Sequence, residues 1–370
     1  MSMSTKKDKI IKIAIVGCGR ISKNHIKAIN YLHKKCEIVA LCDNNINNLT
    51  EVKKVCSTFK TDHNLETQKL LRTFSSYNDL LSDIKKRSIE VDLVVICTPS
   101  GLHSKQVIAA SKLGLHCCTE KPMATTWEDG LKMVEECKKN SVQLFVVKQN
   151  RFNNTLQLVK KQIEKKRFGR LSTVAVNVFW QRPQSYYDQA QWRGTWEYDG
   201  GALMNQASHY VDLLDWLIGP VNSLCAFTAT IGRKIEVEDT ATINLKWENG
   251  ALGTMAVTML TYPKNLEGSI TILGEKGSVR VGGLAVNNID WWEFEDEDDD
   301  DQLVKEANYQ TSNVYGFGHT AYYENMINAL LGYESTICRG EDGLKSLELL
   351  IAAYKSSEKG EIIHLPLELF

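Results

Sequence analysis

With 370 residues, the chain exceeds the size usual for a single hydrophobic core, so two domains are expected, each able to bury its own. Its 44 Lys and Arg against 45 Asp and Glu leave a net charge of -1. That balance excludes bulk attraction to nucleic acid or an anionic membrane, so an anionic ligand must be recognised locally. In chain order, the polar opening Met1 to Asp8 leads into an apolar run, Ile10 to Val16, too short for a secretory signal. No later stretch reaches the roughly 20 apolar residues of a membrane span. The ten cysteines are scattered without a CxxC pair. A cytoplasmic chain with reduced core thiols and no membrane partner is the expectation.

From Lys9 to about Gln149, β-branched runs alternate with amphipathic stretches, the pattern of βαβ units building a doubly wound parallel sheet. Strands are expected at 11–16, 37–42, 91–97, 116–119 and 143–147, with helices at 22–32, 45–59, 104–113 and 126–140. The fold class is α/β, with a Rossmann domain over 1–150 and a second α/β domain over 151–370. In the second domain a helix to about Lys166 and a strand at 171–180 precede a polar loop rich in Tyr, Gln and Trp. A helix over 201–217 follows. Strands at 223–231, 241–247, 252–260, 269–273, 278–281 and 289–294 then suggest one large, mainly antiparallel open sheet. The acidic run Glu295 to Asp301 reads as a solvated loop. Helices at 319–331 and 342–357 close the chain, His319 reading as a helix cap. His25, His33, His63, His116 and His364 lack the spacing of metal ligands, and no metal is expected.

Gly17-Cys18-Gly19-Arg20-Ile21-Ser22 lies between the first strand and the first helix, where a phosphate-binding turn belongs. Gly17 and Gly19 permit a tight turn and close backbone approach to a pyrophosphate. Arg20 and Ile21 continue that turn, and the helix N-terminus supplies free N–H groups. Ser22 replaces the third glycine, at a position that governs helix-to-strand packing. Asp43 ends the second strand at the spacing of the carboxylate that bonds an adenosine ribose 2'-hydroxyl. Its charge repels a 2'-phosphate, so NAD is expected over NADP; the alternative for Asp43 is a cap on the second helix.

Two further segments sit at carboxyl ends of strands, where open α/β sheets bind ligands: Thr98-Pro99-Ser100-Gly101-Leu102-His103 and Glu120-Lys121-Pro122. With the glycine turn, and with Asn205-Gln206-Ala207-Ser208-His209 on the later helix, they make the chain resemble the Gfo/Idh/MocA oxidoreductase family. The resemblance runs through nearly the whole chain. It implies that Thr98, Ser100, His103, Glu120, Lys121 and Gln149 border the nicotinamide, and that Lys121 and His209 are catalytic. The wider family commonly carries Asp where this chain has Asn205, which removes one charge from the usual set. Arg182 to Tyr187 and Gln191 to Trp196, together with Asn205 to His209, resemble one branch, the WlbA or WbpB type of UDP-N-acetyl-2-amino-2-deoxyglucuronate 3-dehydrogenases. That likeness implies oxidation of a nucleotide-sugar 3-hydroxyl on a route to surface polysaccharide (lipopolysaccharide), a homotetramer, and 2-oxoglutarate as an oxidant for bound NADH.

Hydride transfer from such a carbon needs a group within hydrogen-bond reach of its hydroxyl proton. Lys121 and His209 are both candidates, and their roles as base and oxyanion holder are interchangeable at this level. Asn205 and His209 share a helical face, while Asp212 either orients the imidazole or faces solvent. For the substrate, Arg151 and Arg193 can fork onto a carboxylate or diphosphate, surface ion pairs being the alternative, and Trp192 can stack on sugar or uracil. Asn150, Asn205, Gln206 and Ser208 complete the expected contacts, and Tyr186 and Tyr187 contact either ligand or a neighbouring subunit. Two other readings stand beside this one. The first is a Gfo/Idh/MocA dehydrogenase of another polyol, inositol-type; the second is an NAD-sensing regulator without turnover, against which the presence of both Lys121 and His209 argues.

Overall fold

The computed structural model describes residues 9–62, 71–311, 314 and 316–367. Met1 to Asp8 and His63 lie outside them. The chain divides into two compact units. The first runs to Ala124, with Glu128–Val147 and His319–Gly343; the second holds Thr125–Trp127, Lys148–Gly318 and Leu344–Phe370.

The first unit is built from β1 (Ile11–Val16), α1 (Ser22–Tyr31), β2 (Cys36–Cys42), α2 (Ile46–Asp62), β3 (Arg72–Phe74), α3 (Tyr77–Lys85), β4 (Leu93–Ile96), α4 (His103–Ser111), β5 (His116–Thr119), α5 (Trp127–Lys139) and β6 (Leu144–Val146). Its six strands are parallel in the order β3-β2-β1-β4-β5-β6. Their near-continuous apolar sequences follow from burial on both faces: Ile13, Ala14, Ile15 and the whole of Leu93–Ile96 have no exposed surface. The five expected strands form. β3 and α3 were not expected, because three residues of strand carry no readable periodicity. The order reverses between β1 and β4, which puts the switch point at the carboxyl ends of those two strands.

The second unit contains α6 (Asn154–Glu164), β7 (Leu171–Phe179), α7 (Gln184–Tyr187), α8 (Ser208–Leu213), β8 (Val221–Ala229), β9 (Thr240–Trp247), β10 (Leu252–Thr258), β11 (Glu267–Gly274), β12 (Gly277–Gly282), β13 (Asn288–Phe294) and α9 (Val304–Ala307). After α10 (Gly318–Leu331) come α11 (Gly340–Lys359) and β14 (Ile363–His364). Eight strands form one sheet, β13-β12-β11-β7-β10-β9-β8-β14, antiparallel except where β10 runs parallel to β7. Strict alternation sends Val174, Val176, Val178, Ile243, Leu245, Trp247, Met255 and Val257 into the core. The registers bring Phe227, Thr242, Lys246, Leu252 and Leu273 onto the opposite, exposed face. No helix among the described residues is long and apolar enough to cross a membrane.

Three sequence expectations change. The boundary at 150 fails for α10, which belongs to the first unit and buries Tyr322, Tyr323, Met326 and Ile327 there completely. The acidic run is a solvated loop only as far as Glu297. Asp298 caps a 3-10 turn over Asp299–Leu303, and Asp300, only 4 % exposed, takes Lys161 at 2.6 Å and Lys165 at 2.7 Å, while Arg167 pairs with Asp301 at 2.7 Å. The basic face of α6 and the turn after it neutralise charge that a local reading left to water. The helix expected over 201–217 is broken into a π turn at Ala202–Gln206, α8, and a second π turn at Leu214–Ile218. The simple helical register between Asn205 and His209 is therefore interrupted.

Candidate active site

At the switch point Gly17 adopts φ +88°, and a Cβ there would lie 2.6 Å from the Cys97 carbonyl carbon, so only glycine lets the ends of β1 and β4 meet. Above Gly19 nothing lies within 4 Å of a Cβ position, the open space a pyrophosphate needs. Ser22 is fully buried and donates its hydroxyl to the Gly19 carbonyl at 2.7 Å, which explains how it replaces the third glycine. Arg20 is exposed and Ile21 half-buried beside this turn. Asp43 is held at both oxygens: Oδ2 accepts the Cys18 N–H at 2.7 Å, and Oδ1 accepts the Asn45 N–H at 2.7 Å just before α2. The carboxylate is thus locked to the glycine turn. An aspartate hydrogen bond to a ribose hydroxyl contributes about 1.5–3 kcal/mol. Asp43→Ala is accordingly expected to raise the NAD KM by ~10- to 100-fold with kcat nearly unchanged, measured by steady-state kinetics.

Thr98 and Ser100 flank the same switch point, with the Thr98 hydroxyl donating to Gln106 at 2.6 Å. His103 is fully buried and acts as a brace. Its Nδ1 lies 3.0 Å from the Pro122 carbonyl and its Nε2 2.9 Å from the Thr98 carbonyl, so it ties the two signature loops together. Burial pulls its pKa down, against the pull of those two carbonyls. Glu120 is 7 % exposed; its Oε1 takes His25 Nε2 at 2.8 Å and its Oε2 the Lys121 backbone N–H at 3.1 Å. Burial opposes its ionisation, but His25 and the Lys121 charge outweigh that and hold the carboxyl down to about 2. Lys121 itself is half-buried. His319, in the first turn of α10, is 6 % exposed, its ring edge-on to His25 with centroids 5.5 Å apart. Burial and the charge of His25 lower it to about 3, so it is neutral at physiological pH. The ligand atoms of His25, Glu120 and His319 lie within 4.8 Å of one another. Both nitrogens of His25 are nevertheless engaged, by Glu120 and by the Tyr323 hydroxyl at 2.6 Å, which makes the group a hydrogen-bonded network.

In the second unit, His209 begins α8 and is 7 % exposed, with Nε2 3.2 Å from the Gln149 amide nitrogen. An amide offers the ring either a donor or an acceptor, so Gln149 can support both protonation states. Gln149 Oε1 and Asn150 Oδ1 are buried and have no hydrogen-bond partner among the described residues. They are polar acceptors left for a ligand to satisfy. Arg151 does not present its fork to a ligand: Nε and Nη2 reach Asp212 at 2.8 and 2.7 Å. Asp212 also has Lys148 Nζ at 3.5 Å, and burial, which would raise its pKa, loses to these two cations. Asp212 therefore neither faces solvent nor acts alone on His209; it is a buried anion whose charge also interacts with the imidazole.

Arg193 stacks between Tyr186 and Trp192, 4.4 Å from each ring centre, and donates to the Tyr186 hydroxyl at 2.7 Å. Gln206 donates to the same hydroxyl at 3.2 Å and accepts from Arg182 Nε at 3.2 Å. Arg182 joins the cluster without having been expected there; its place in the Arg182 to Tyr187 motif was the available signal. Tyr187 is buried in packing. Ser208 turns its hydroxyl back to the Asn205 carbonyl at 3.2 Å, and Asn205 donates its amide to Asp199. Asp199, 2 % exposed and also missed, returns a carboxylate next to the position where Asn205 removes one.

The π turn before His209 is held by Glu238, which accepts the Leu203 N–H at 2.8 Å and the Tyr354 hydroxyl at 3.0 Å. At Gly201 a Cβ would fall 1.7 Å from Glu238 Oε2, which excludes any side chain. Burial raises the Glu238 pKa to about 7. A carboxyl raised from 4.5 in the unfolded chain contributes stability below that value and loses it as pH rises towards 7. The loss is on the order of 3 kcal/mol. Melting curves of Glu238→Gln are expected to be flatter across that window and higher than wild type above pH 7; parallel pH profiles would refute this.

Residues 11–148 match the description "Oxidoreductase family, NAD-binding Rossmann fold", and residues 160–366 match "Oxidoreductase family, C-terminal alpha/beta domain". The chain is similar to the WlbA dehydrogenase of Bordetella pertussis, solved with NADH and UDP-GlcNAcA, at 55 % identity and a TM-score of 0.90, over 98 % of this chain and 99 % of that one. The WlbA dehydrogenase of Chromobacterium violaceum, solved with the same two ligands, is 53 % identical at a TM-score of 0.88, over 98 % of both chains. Among curated proteins, the myo-inositol 2-dehydrogenase of Thermotoga maritima is 23 % identical over 96 % of this chain and 98 % of that protein. With both domains matched in order, the chain belongs to the Gfo/Idh/MocA oxidoreductase family, an NAD-binding Rossmann domain followed by its C-terminal α/β domain.

Proposed function

We propose that this chain is an NAD-dependent dehydrogenase that oxidises the 3-hydroxyl of UDP-N-acetyl-2-amino-2-deoxy-D-glucuronate to the 3-keto sugar, as a step in nucleotide-sugar synthesis for surface polysaccharide. The carrying observation is identity above one half, end to end, with WlbA dehydrogenases that hold NADH and UDP-GlcNAcA. The open Gly19 turn and the locked Asp43 fit the dinucleotide, and the bare Gln149 and Asn150 acceptors fit a polar ligand.

NAD, when bound, supplies the hydride acceptor. Lys121 and His209 act at the sugar hydroxyl, one taking its proton while the other holds the oxygen as negative charge develops. The Gln149 amide, 3.2 Å from Nε2, orients the His209 ring. Arg193, pre-stacked between two rings, and Trp192 suit the sugar nucleotide, with Asn205, Gln206 and Ser208 around them. Arg151 serves there through Asp212. A homotetramer is part of this reading, because the exposed sheet face carries Phe227 at 66 % and Leu252 at 58 % exposure, more apolar area than a free surface favours. So are a cytoplasmic location and re-oxidation of bound NADH by 2-oxoglutarate.

The test is NADH formation by purified protein with UDP-N-acetylglucosaminuronate or myo-inositol, each with and without 2-oxoglutarate, and mass measurement in solution. Turnover of the sugar nucleotide alone is expected. Oxidation of inositol with none of the nucleotide sugar would overturn the assignment, and a stable monomer would overturn the tetramer.

A further inference from the structure

We infer that His25 and Tyr323 are positioning residues for Lys121, acting through the Glu120 carboxylate. The inference rests on the reading of Lys121 as a reacting group and adds two residues to which sequence motifs assign no part in the chemistry. Three contacts run in series: Tyr323 Oη to His25 Nδ1 at 2.6 Å, His25 Nε2 to Glu120 Oε1 at 2.8 Å, and the Lys121 backbone N–H to Glu120 Oε2 at 3.1 Å.

Donor accounting gives the contact between His25 and Glu120 a direction. The ionised carboxylate only accepts, so the proton between His25 and Glu120 belongs to Nε2. Nδ1 of the same ring meets the Tyr323 hydroxyl at 2.6 Å, so both nitrogens of His25 are engaged. Both carboxylate oxygens of Glu120 are held, Oε1 by His25 and Oε2 by the Lys121 backbone. The Tyr323 phenol, fully buried, stays protonated because burial drives its pKa upward. His25 has no exposed surface, so no water replaces either partner.

The next residue is gripped from a separate direction, since the Pro122 carbonyl meets His103 Nδ1 at 3.0 Å. The backbone at Lys121 is therefore held on both sides. Geometry held this closely is what proton transfer at a substrate hydroxyl requires, where small displacements cost large factors in rate. The network also explains why a segment from near the C-terminus completes the first unit. Without Tyr323 on α10, a fully buried ring nitrogen on α1 would have no partner.

The test compares His25→Ala, His25→Gln and Tyr323→Phe in the full-length protein. His25→Ala is expected to lower kcat by ~10- to 100-fold, the usual effect of removing a group that orients a reacting residue. The sugar-nucleotide KM and the NADH affinity are expected to stay within about twofold, a split that general loss of structure does not produce. His25→Gln, whose amide can donate to Glu120, should recover most of the loss. Tyr323→Phe, which keeps the ring and removes only the hydroxyl, should lower kcat severalfold, and it decides the matter if His25→Ala does not fold. Wild-type kcat in folded His25→Ala, or in Tyr323→Phe where His25→Ala does not fold, beside an inactive Lys121→Met, overturns the inference alone. Full turnover by Lys121→Met overturns the underlying reading instead.

Discussion

Lys121→Met and His209→Asn are each expected to lower kcat by ~10²- to 10⁴-fold, the range associated with one positioned acid or base, or roughly 3 to 5 kcal/mol of barrier. Methionine retains the length and apolar stem of lysine but neither its charge nor its protons. Asparagine retains a polar, planar side chain but no titrating nitrogen. Neither change disturbs the dinucleotide turn: Gly17 and Asp43 are held by their own contacts with Cys42 and Cys18. NADH binding followed by fluorescence should therefore persist while single-turnover oxidation collapses. On the proposed reading that both groups serve one proton transfer, the double variant should be little worse than the poorer single one. Near-normal turnover in both folded single variants would remove them from the chemistry.

The second large effect falls on stability. Asp212→Ala is expected to destabilise the protein by ~3–5 kcal/mol, the penalty for leaving a buried charge without its partner. Here two cations lose it: Lys148, with 2 % of its side chain exposed, and Arg151, with 11 %. Lys148 would keep only the Ser346 hydroxyl, at 2.7 Å. The folded Asp212 pKa lies below its ordinary 3.8, so its contribution is present above that value and is lost as pH falls below it. Urea unfolding of wild type and variant should therefore differ most at neutral pH and converge in acid. A difference under about 1 kcal/mol at neutral pH would show that solvent already screens the site.

Most of the first unit could be read along the chain because its signals are local. An apolar run buried on both faces reads as a parallel strand, as Ile11–Val16 and Leu93–Ile96 do. A glycine forced to positive φ against the Cys97 carbonyl leaves its mark in sequence as Gly17. The carboxyl-end position of Thr98 and Lys121 followed from the order of elements alone. Charged groups were harder. Arg151 and Asp300 looked free for solvent or ligand because their partners, Asp212 and Lys161, lie 61 and 139 positions away.

The amino-acid sequence determined the longer elements of the first unit, the family and the phosphate turn, since each depends on side-chain periodicity or on the backbone freedom of single residues. Tertiary structure alone decided which buried charges meet, that α10 returns to complete the first unit behind Glu120, and that the chain before His209 widens into a π turn around Glu238. The physical reason is common to all three. A buried polar group must find a partner wherever the fold supplies one, and that requirement acts through space between segments whose separation along the chain carries no trace of it.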